Sequence, residues 1–223
     1  MKLNRKTLAA GALLLTLAWG QAAYAFSDTA GDPQQAKIEA LQKAGLVSGM
    51  DDQSFVPKGE VTFAQGVQFI VNGAGLNIDN MRFIKEPKAS DYFTSVPDDA
   101  WYAKAFIVAH HNGLTFPKDV NPNATMSREQ FALYLAQAID AKGDFPVIMT
   151  FIMLKDEDKV DKATMNSIQF LLKLGVAQLD GNKNFRPKDV ITRSEAAGMI
   201  YETDRFLQEK GVKNQPGPVS GNN

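Results

Sequence analysis

The chain has 223 residues and a mass of 24.4 kDa, with 44% hydrophobic and 22% charged residues; that is enough apolar material for a sizeable core and too mixed a composition for disorder. The absence of cysteine excludes a disulfide framework, a thiolate metal site and a thiol nucleophile. A formal net charge of -1 and a pI near 6.1 provide no basic field, which argues against a nucleic-acid partner.

Residues 1–25 read as a signal peptide. Lys2, Arg5 and Lys6 form a positive start, Leu8 to Trp19 is an apolar run, and Ala23-Tyr24-Ala25 supplies the small-x-small pattern of a cleavage point before Phe26. The run is short of the about 20 apolar residues of a spanning helix, and an uncleaved anchor is the alternative reading. Cleavage removes three of 24 basic residues and none of the 25 acidic ones, leaving 21 against 25 and a net charge of -4. The expectation is a secreted protein associated with the cell wall or cell surface, without membrane contact once the leader is gone. At the other end, residues 211–223 carry Gln215-Pro216-Gly217-Pro218 and a small polar finish, a composition expected to be a disordered tail.

Between these ends the chain repeats itself. In chain order, the first copy has a helix through Ile38 and Leu41 that stops at Gly45, a loop Asp52 to Pro57, and a second helix beginning at Thr62. A polar connector, Asn77 to Ser90, leads to a second copy with a helix through Phe106 and Ala109 stopping at Gly113 and a further helix from Ser127. The apolar run Phe145 to Leu154 reads as a buried strand-like or core segment. The third copy has a helix through Ile168, Leu171 and Leu172 stopping at Gly175, a loop Gly181 to Pro187, and a helix from Thr192. Apolar residues three and four apart specify amphipathic helices, and a glycine just past the last of them is the usual left-handed stop. Pro57, Pro122 and Pro187 are spaced by 65 and 65, as are Thr62, Ser127 and Thr192. In the loops, Phe55 and Phe185 are expected to pin the chain to the core; the second copy has Val120 there and a loop three residues shorter.

Each second helix opens on a capping box: Thr62 with Gln65, Ser127 with Gln130, Thr192 with Glu195. The hydroxyl accepts from an amide of the first turn and the acid or amide side chain reaches back to the cap's own N–H. One such unit cannot bury its apolar face alone, so the copies must pack on each other. An open solenoid and a closed arrangement both satisfy this, and apolar residues in all three copies with no polar terminal cap favour closure. Arg128 and Arg193 follow the cap directly, where a cation is mildly disfavoured by the helix dipole, and the first copy has Phe63 instead. Helix formation does not require these arginines; beside free N–H groups they make a compact anion site suited to a carboxylate, and pairing with a surface acid is the simpler alternative.

The pattern resembles the S-layer homology (SLH) domain family. Ile191-Thr192-Arg193-Ser194-Glu195 is close to the family's I-T-R-A-E, Gly45-Leu46-Val47-Ser48-Gly49 matches its G-[IL]-x-x-G turn, Phe26-Ser27-Asp28 its opening F-x-D, and Ala100-Trp101-Tyr102-Ala103 its H-W-A helix start. The resemblance implies a mainly α fold of three helix-loop-helix repeats, residues 26–80, 81–145 and 146–210, packed as a pseudo-threefold trimer with a central helix bundle, outward prongs and grooves between them. It further implies a non-covalent surface anchor that binds a pyruvylated secondary cell wall polysaccharide. By motif match, Arg128 and Arg193 would hold the acidic sugar, Gly45 and Gly49 would let the backbone approach it, and Asp28 and Trp101 would line a groove; Asp28 as a cap of the first helix and Trp101 as a core residue are the competing readings. Phe63 in place of the arginine points to fewer than three working grooves, and a relative that binds another envelope protein through an apolar groove is the alternative function.

The remaining constellations are weaker. His110 and His111 are adjacent on a helix and diverge, which is poor geometry for one metal. Asp180, Asn182 and Asn184 resemble the start of a calcium loop, but its twelfth position is Ile191, where a bidentate carboxylate is required. Asp156-Glu157-Asp158 with Asp161 reads as a solvated lead-in to a helix. No catalytic motif is recognisable, and neither enzyme activity nor a cofactor nor a metal is expected.

Overall fold

In the computed structural model, residues 26–212 are described; the leader expected over residues 1–25 and most of the expected tail lie outside them. Among the described residues there are six α-helices: α1 (Gln35–Lys43), α2 (Phe63–Gly73), α3 (Ala103–His111), α4 (Arg128–Asp140), α5 (Lys162–Lys173) and α6 (Arg193–Glu209), with short 3-10 turns at Ala89–Asp91 and Glu157–Lys159. The fold is mainly α. Among the described residues the β structure amounts to isolated antiparallel bridges, Glu60 with Thr192, Thr62 with Thr125 and Ser127 with Val190.

α1, α3 and α5 end alike. In α1, Gly45 has φ +70° and its N–H donates to Gln42 O while Leu46 N–H reaches back to Leu41 O, which is a Schellman stop. Gly113 and Gly175 repeat the left-handed conformation and the paired bonds. The second helices begin alike too. Thr62, Ser127 and Thr192 each accept from the third helical amide, and Gln65, Gln130 and Glu195 each accept from the cap's N–H.

The first two amides of each second helix are satisfied by another copy. Phe63 and Ala64 N–H donate to Ala124 and Pro122 O, Arg128 and Glu129 N–H to Asp189 and Pro187 O, and Arg193 and Ser194 N–H to Gly59 and Pro57 O. The dependence therefore runs from copy one to two, two to three and three back to one. All four amides that a helix start leaves open thus have partners in α2, α4 and α6. Inside this ring Met126 N–H donates to Val61 O, Val61 N–H to Ile191 O and Ile191 N–H to Met126 O, and all three side chains are fully buried.

Helix packing follows the same cycle. α2, α4 and α6 pack on one another at the centre, while α1 lies on α6, α3 on α2 and α5 on α4, so each first helix rests on the second helix of the preceding copy. The centre is tight at two glycines. A Cβ on Gly73 would lie 2.4 Å from Ile200 Cγ2, and one on Gly66 would lie 2.8 Å from Met126 Sδ.

One expectation about the connectors fails. The run Phe145 to Leu154 is not a core segment: Leu154 is buried and Phe145 packs edge-on against Phe206, but Ile148, Met149, Phe151 and Met153 are 72%, 98%, 44% and 70% exposed. The segment crosses the surface, held by Gln169, whose side chain accepts from Ile152 N–H and donates to Ile152 O. Its apolar composition is not a consequence of burial.

Candidate functional site

Each loop between the helices of copies one and three is clamped by three groups. Phe55 and Phe185 fill the core beneath the loop, both fully buried. Asp28 accepts from Phe55 N–H at 2.9 Å and Val56 N–H at 2.7 Å, and Asp156 accepts from Phe185 N–H at 2.8 Å and Arg186 N–H at 2.7 Å. Val56 and Arg186 each have φ near +58°, a conformation that a side-chain-bearing residue adopts at a cost; the carboxylate stabilises it by collecting both amides. Asp28 therefore holds a loop and does not cap α1, whose cap position is Gln34. Asp156 is the corresponding residue of copy three. It is 5% exposed, which corrects its reading as part of a solvated lead-in.

The arginine is the third element of the clamp. Arg193 is 3% exposed; its Nε donates to Phe55 O and its Nη2 to Ser48 O at 2.8 Å, with the guanidinium 4.5 Å from the Phe55 ring centre and 5.1 Å from that of Phe69. Arg128 repeats this on copy three, donating to Phe185 O at 2.9 Å and Gln178 O at 3.1 Å over the Phe185 ring. Each cation thus ties one copy's helix start to the next copy's loop. The open fork beside free amides expected at these helix starts is not what forms: the amides are bonded to a neighbouring copy and the guanidinium groups face carbonyls. Burial lowers the pKa of Arg193 to about 10, against the opposing field of Asp28. It lowers that of Arg128 as well, opposed chiefly by Glu195.

Gly49 is also a packing residue. A Cβ there would lie 2.3 Å from Asp51 O and 2.6 Å from both Phe26 Cε1 and Ser54 O, so the chain's own atoms occupy the space. Gly45 supplies the left-handed stop of α1. Trp101, just ahead of α3, is 43% exposed with its indole edge-on to Tyr102 at 5.2 Å; it is a surface residue, not a core one. The junction between copies one and two has Phe63 in place of the arginine, 7% exposed and packed edge-on to Tyr134. Phe63 packs into this junction where the other two junctions have an arginine.

A groove of about 200 Å³ does open between α1, the start of α4, α6 and the copy-three loop from Val176 to Arg186. Arg128 lies in its wall, with Lys37, Arg186, Glu195 and Glu202 around it. Arg186 pairs with Glu195, Arg128 lies 3.5 Å from the same carboxylate, and Lys37 lies 2.9 Å from Glu202. Desolvation raises the Glu195 pKa, but Arg128, the Thr192 amide and Arg186 outweigh it and leave the carboxyl below its ordinary value. The groove is a balanced set of charged donors and acceptors along an inter-copy seam, suited to hydroxyl-rich ligands and able to meet an acidic group through the half-exposed Arg186. Arg186 and Lys37 were not singled out from the sequence, since nothing local distinguishes them from surface cations. Elsewhere, His111 Nε2 is 3.0 Å from Tyr92 Oη and His110 stacks on the Tyr92 ring; no cluster of metal-binding side chains occurs among the described residues.

The family model of the S-layer homology domain matches residues 25–65 and 154–197, which contain the complete Asp-Phe clamps of copies one and three. Residues 66–153 fall outside both matches, and there the clamp has lapsed: Val120 stands for the phenylalanine and the loop is shorter. The matched family is one of cell-surface anchoring modules, binders and not catalysts. Among curated proteins the chain is similar to "Exoglucanase XynX" of Acetivibrio thermocellus, 26% identical over 167 residues, 74% of this chain and 15% of that protein. It is likewise similar to "Amylopullulanase" of Thermoanaerobacterium thermosulfurigenes, 28% identical over 170 residues, 74% of this chain and 8% of that protein. The chain thus spans a small fraction of the curated relatives it matches.

Proposed function

We propose that this chain is an exported envelope protein, led out by residues 1–25, whose three SLH-like copies, residues 26–80, 81–145 and 146–210, close about a pseudo-threefold axis and bind cell wall polysaccharide non-covalently. The cyclic helix pairing and the ring of helix-start hydrogen bonds support the closed arrangement. The observation that carries the function is the coincidence of the two family matches with the two clamped copies, which together with Arg128 of copy two line a groove of charged donors and acceptors. In this reading Arg128 shapes the groove wall, Arg186 and Lys37 meet the acidic group of a pyruvylated sugar, and the exposed Trp101 indole offers a face on which a sugar ring stacks. Arg193, Asp28, Gly45 and Gly49 fix the loop of copy one, which does not line this groove. The chain acts as an anchor and not as a catalyst.

The test is co-sedimentation of the exported protein with purified cell wall sacculi, before and after chemical removal of the secondary polysaccharide. Binding that disappears with the polysaccharide, and weakens in Arg186→Gln while the thermal melt is retained, is the expected result. Absence of binding to untreated sacculi would overturn the reading. Arg193→Ala is a poor probe, because it would release the loop of copy one and confuse loss of ligand with loss of fold.

A further inference from the structure

The surface segment between copies two and three carries a feature that glycan binding does not use. From Phe145 to Leu154 the sequence holds no charged residue, and within it Ile148, Met149, Phe151 and Met153 present large apolar side chains to solvent, Met149 almost completely. A monomeric protein rarely leaves four such side chains exposed within six residues without a partner. The segment is not loose: Phe145 is seated on Phe206 at one end, Leu154 is buried at the other, and Gln169 grips both backbone groups of Ile152. It is a strap held in place with its apolar side outward.

We propose that this strap is a self-association surface, on which the same segment of a second copy of this chain docks antiparallel about a two-fold axis near Met149. Three observations select this occupant. The exposure pattern is close to mirror-symmetric about the centre of the strap, with Pro146 and Met153, then Ile148 and Phe151, exposed on either side of Met149 and Thr150, as an isologous contact requires. The flanks are complementary, because antiparallel apposition brings the exposed Asp144 of each copy towards the exposed Lys155 of the other. The area suffices: four large side chains per copy, at roughly 150 Å² each, give about 1,200 Å² of total buried surface, the lower end of specific interfaces. A lipid surface fits less well. Beyond Lys155 come Glu157, Asp158 and Lys159, a mixed-sign flank without the basic surplus that draws an apolar segment to anionic lipid.

Sedimentation equilibrium of the exported protein tests this, with Met149→Lys and Met149→Asp as variants at a site too exposed to disturb folding. The wild type should dimerise, each variant should dissociate at least about tenfold more readily, and an equimolar mixture of the two should recover association, since unlike charges then meet at the axis. A wild type that stays monomeric, a dimer that survives both substitutions, or a mixture that fails to recover would each overturn the proposal. So would a monomer that floats with anionic vesicles. None of these outcomes bears on sedimentation with sacculi, so the two proposals stand or fall separately.

Discussion

Replacing Asp156 by alanine should cost at least about 3 kcal/mol of stability, the lower end of what two lost charge-assisted hydrogen bonds at about 1.5–3 kcal/mol each contribute. The carboxylate receives the amides of Phe185 and Arg186 at 2.8 and 2.7 Å, is itself buried, and holds Arg186 in a left-handed conformation. Alanine leaves a buried amide without an acceptor and the strained turn without its restraint. In a protein of this length each kcal/mol moves Tm by about 2–4 °C, so a fall of at least about 6–12 °C is expected in a calorimetric or circular dichroism melt. Asp28→Ala removes the equivalent pair of bonds in copy one, but Asp28 is exposed and water can replace part of what is lost, so about half the shift is expected. Asp156→Asn retains one acceptor oxygen and turns an N–H₂ towards the second amide, and it should fall between wild type and alanine. An Asp156→Ala protein that melts with the wild type would refute the account of the loop as a carboxylate-clamped turn. So would an Asp28→Ala variant that is the more damaged of the two.

Further expectations follow from the packing and the charges. Gly73→Ala places a methyl against Ile200 and should destabilise by about 1–3 kcal/mol; in an Ile200→Ala background the same change should be close to neutral, and a double-mutant cycle in urea without coupling would contradict the close crossing of α2 and α6. Val56→Asn should stabilise by about 1 kcal/mol, because a β-branched residue is held at positive φ where asparagine is tolerated; a lower midpoint in denaturant would count against this. Acid should weaken the fold through Glu195. Its carboxyl lies below its ordinary value of 4.5 in the folded state, so its contribution is complete above about pH 4.5 and is lost as pH falls through the folded value. Glu195→Gln should therefore lose less stability between pH 5 and 3 than the wild type does, and parallel curves would show that the Arg128 and Arg186 pairing carries no linkage.

Legibility in the sequence tracked distance along the chain. The glycine stops and the three capping boxes were readable because their hydrogen bonds join residues three to five apart, and the spacing alone specifies them. The phenylalanines of the clamp are legible as core anchors, whereas its charged residues are not, because their partners are remote: Asp156 bonds amides about 30 residues on, Arg128 a carbonyl 57 residues on and Arg193 one 138 residues back. An aspartate in a run of charges and an arginine at a helix start look solvated until those partners are placed. The segment Phe145 to Leu154 failed in the opposite sense. Composition reports what a side chain favours, and here the fold leaves four large apolar side chains exposed. The groove residues Lys37 and Arg186 had no local signal at all, since they become a site only where α1 and the copy-three loop come together beside α6.

The return of copy three to copy one has a consequence for how the molecule is lost and gained. In a linear stack the outermost repeat can fray while the rest persists. Here the start of α6 leans on carbonyls of copy one and α1 leans on α6, so a ring without a first or last member has no end from which to peel. Cutting away any copy would strip hydrogen-bond acceptors from the helix start of another, and truncations should abolish folding rather than shorten it. By the same reasoning, the order in which the copies are joined along the chain matters less than that all three are present.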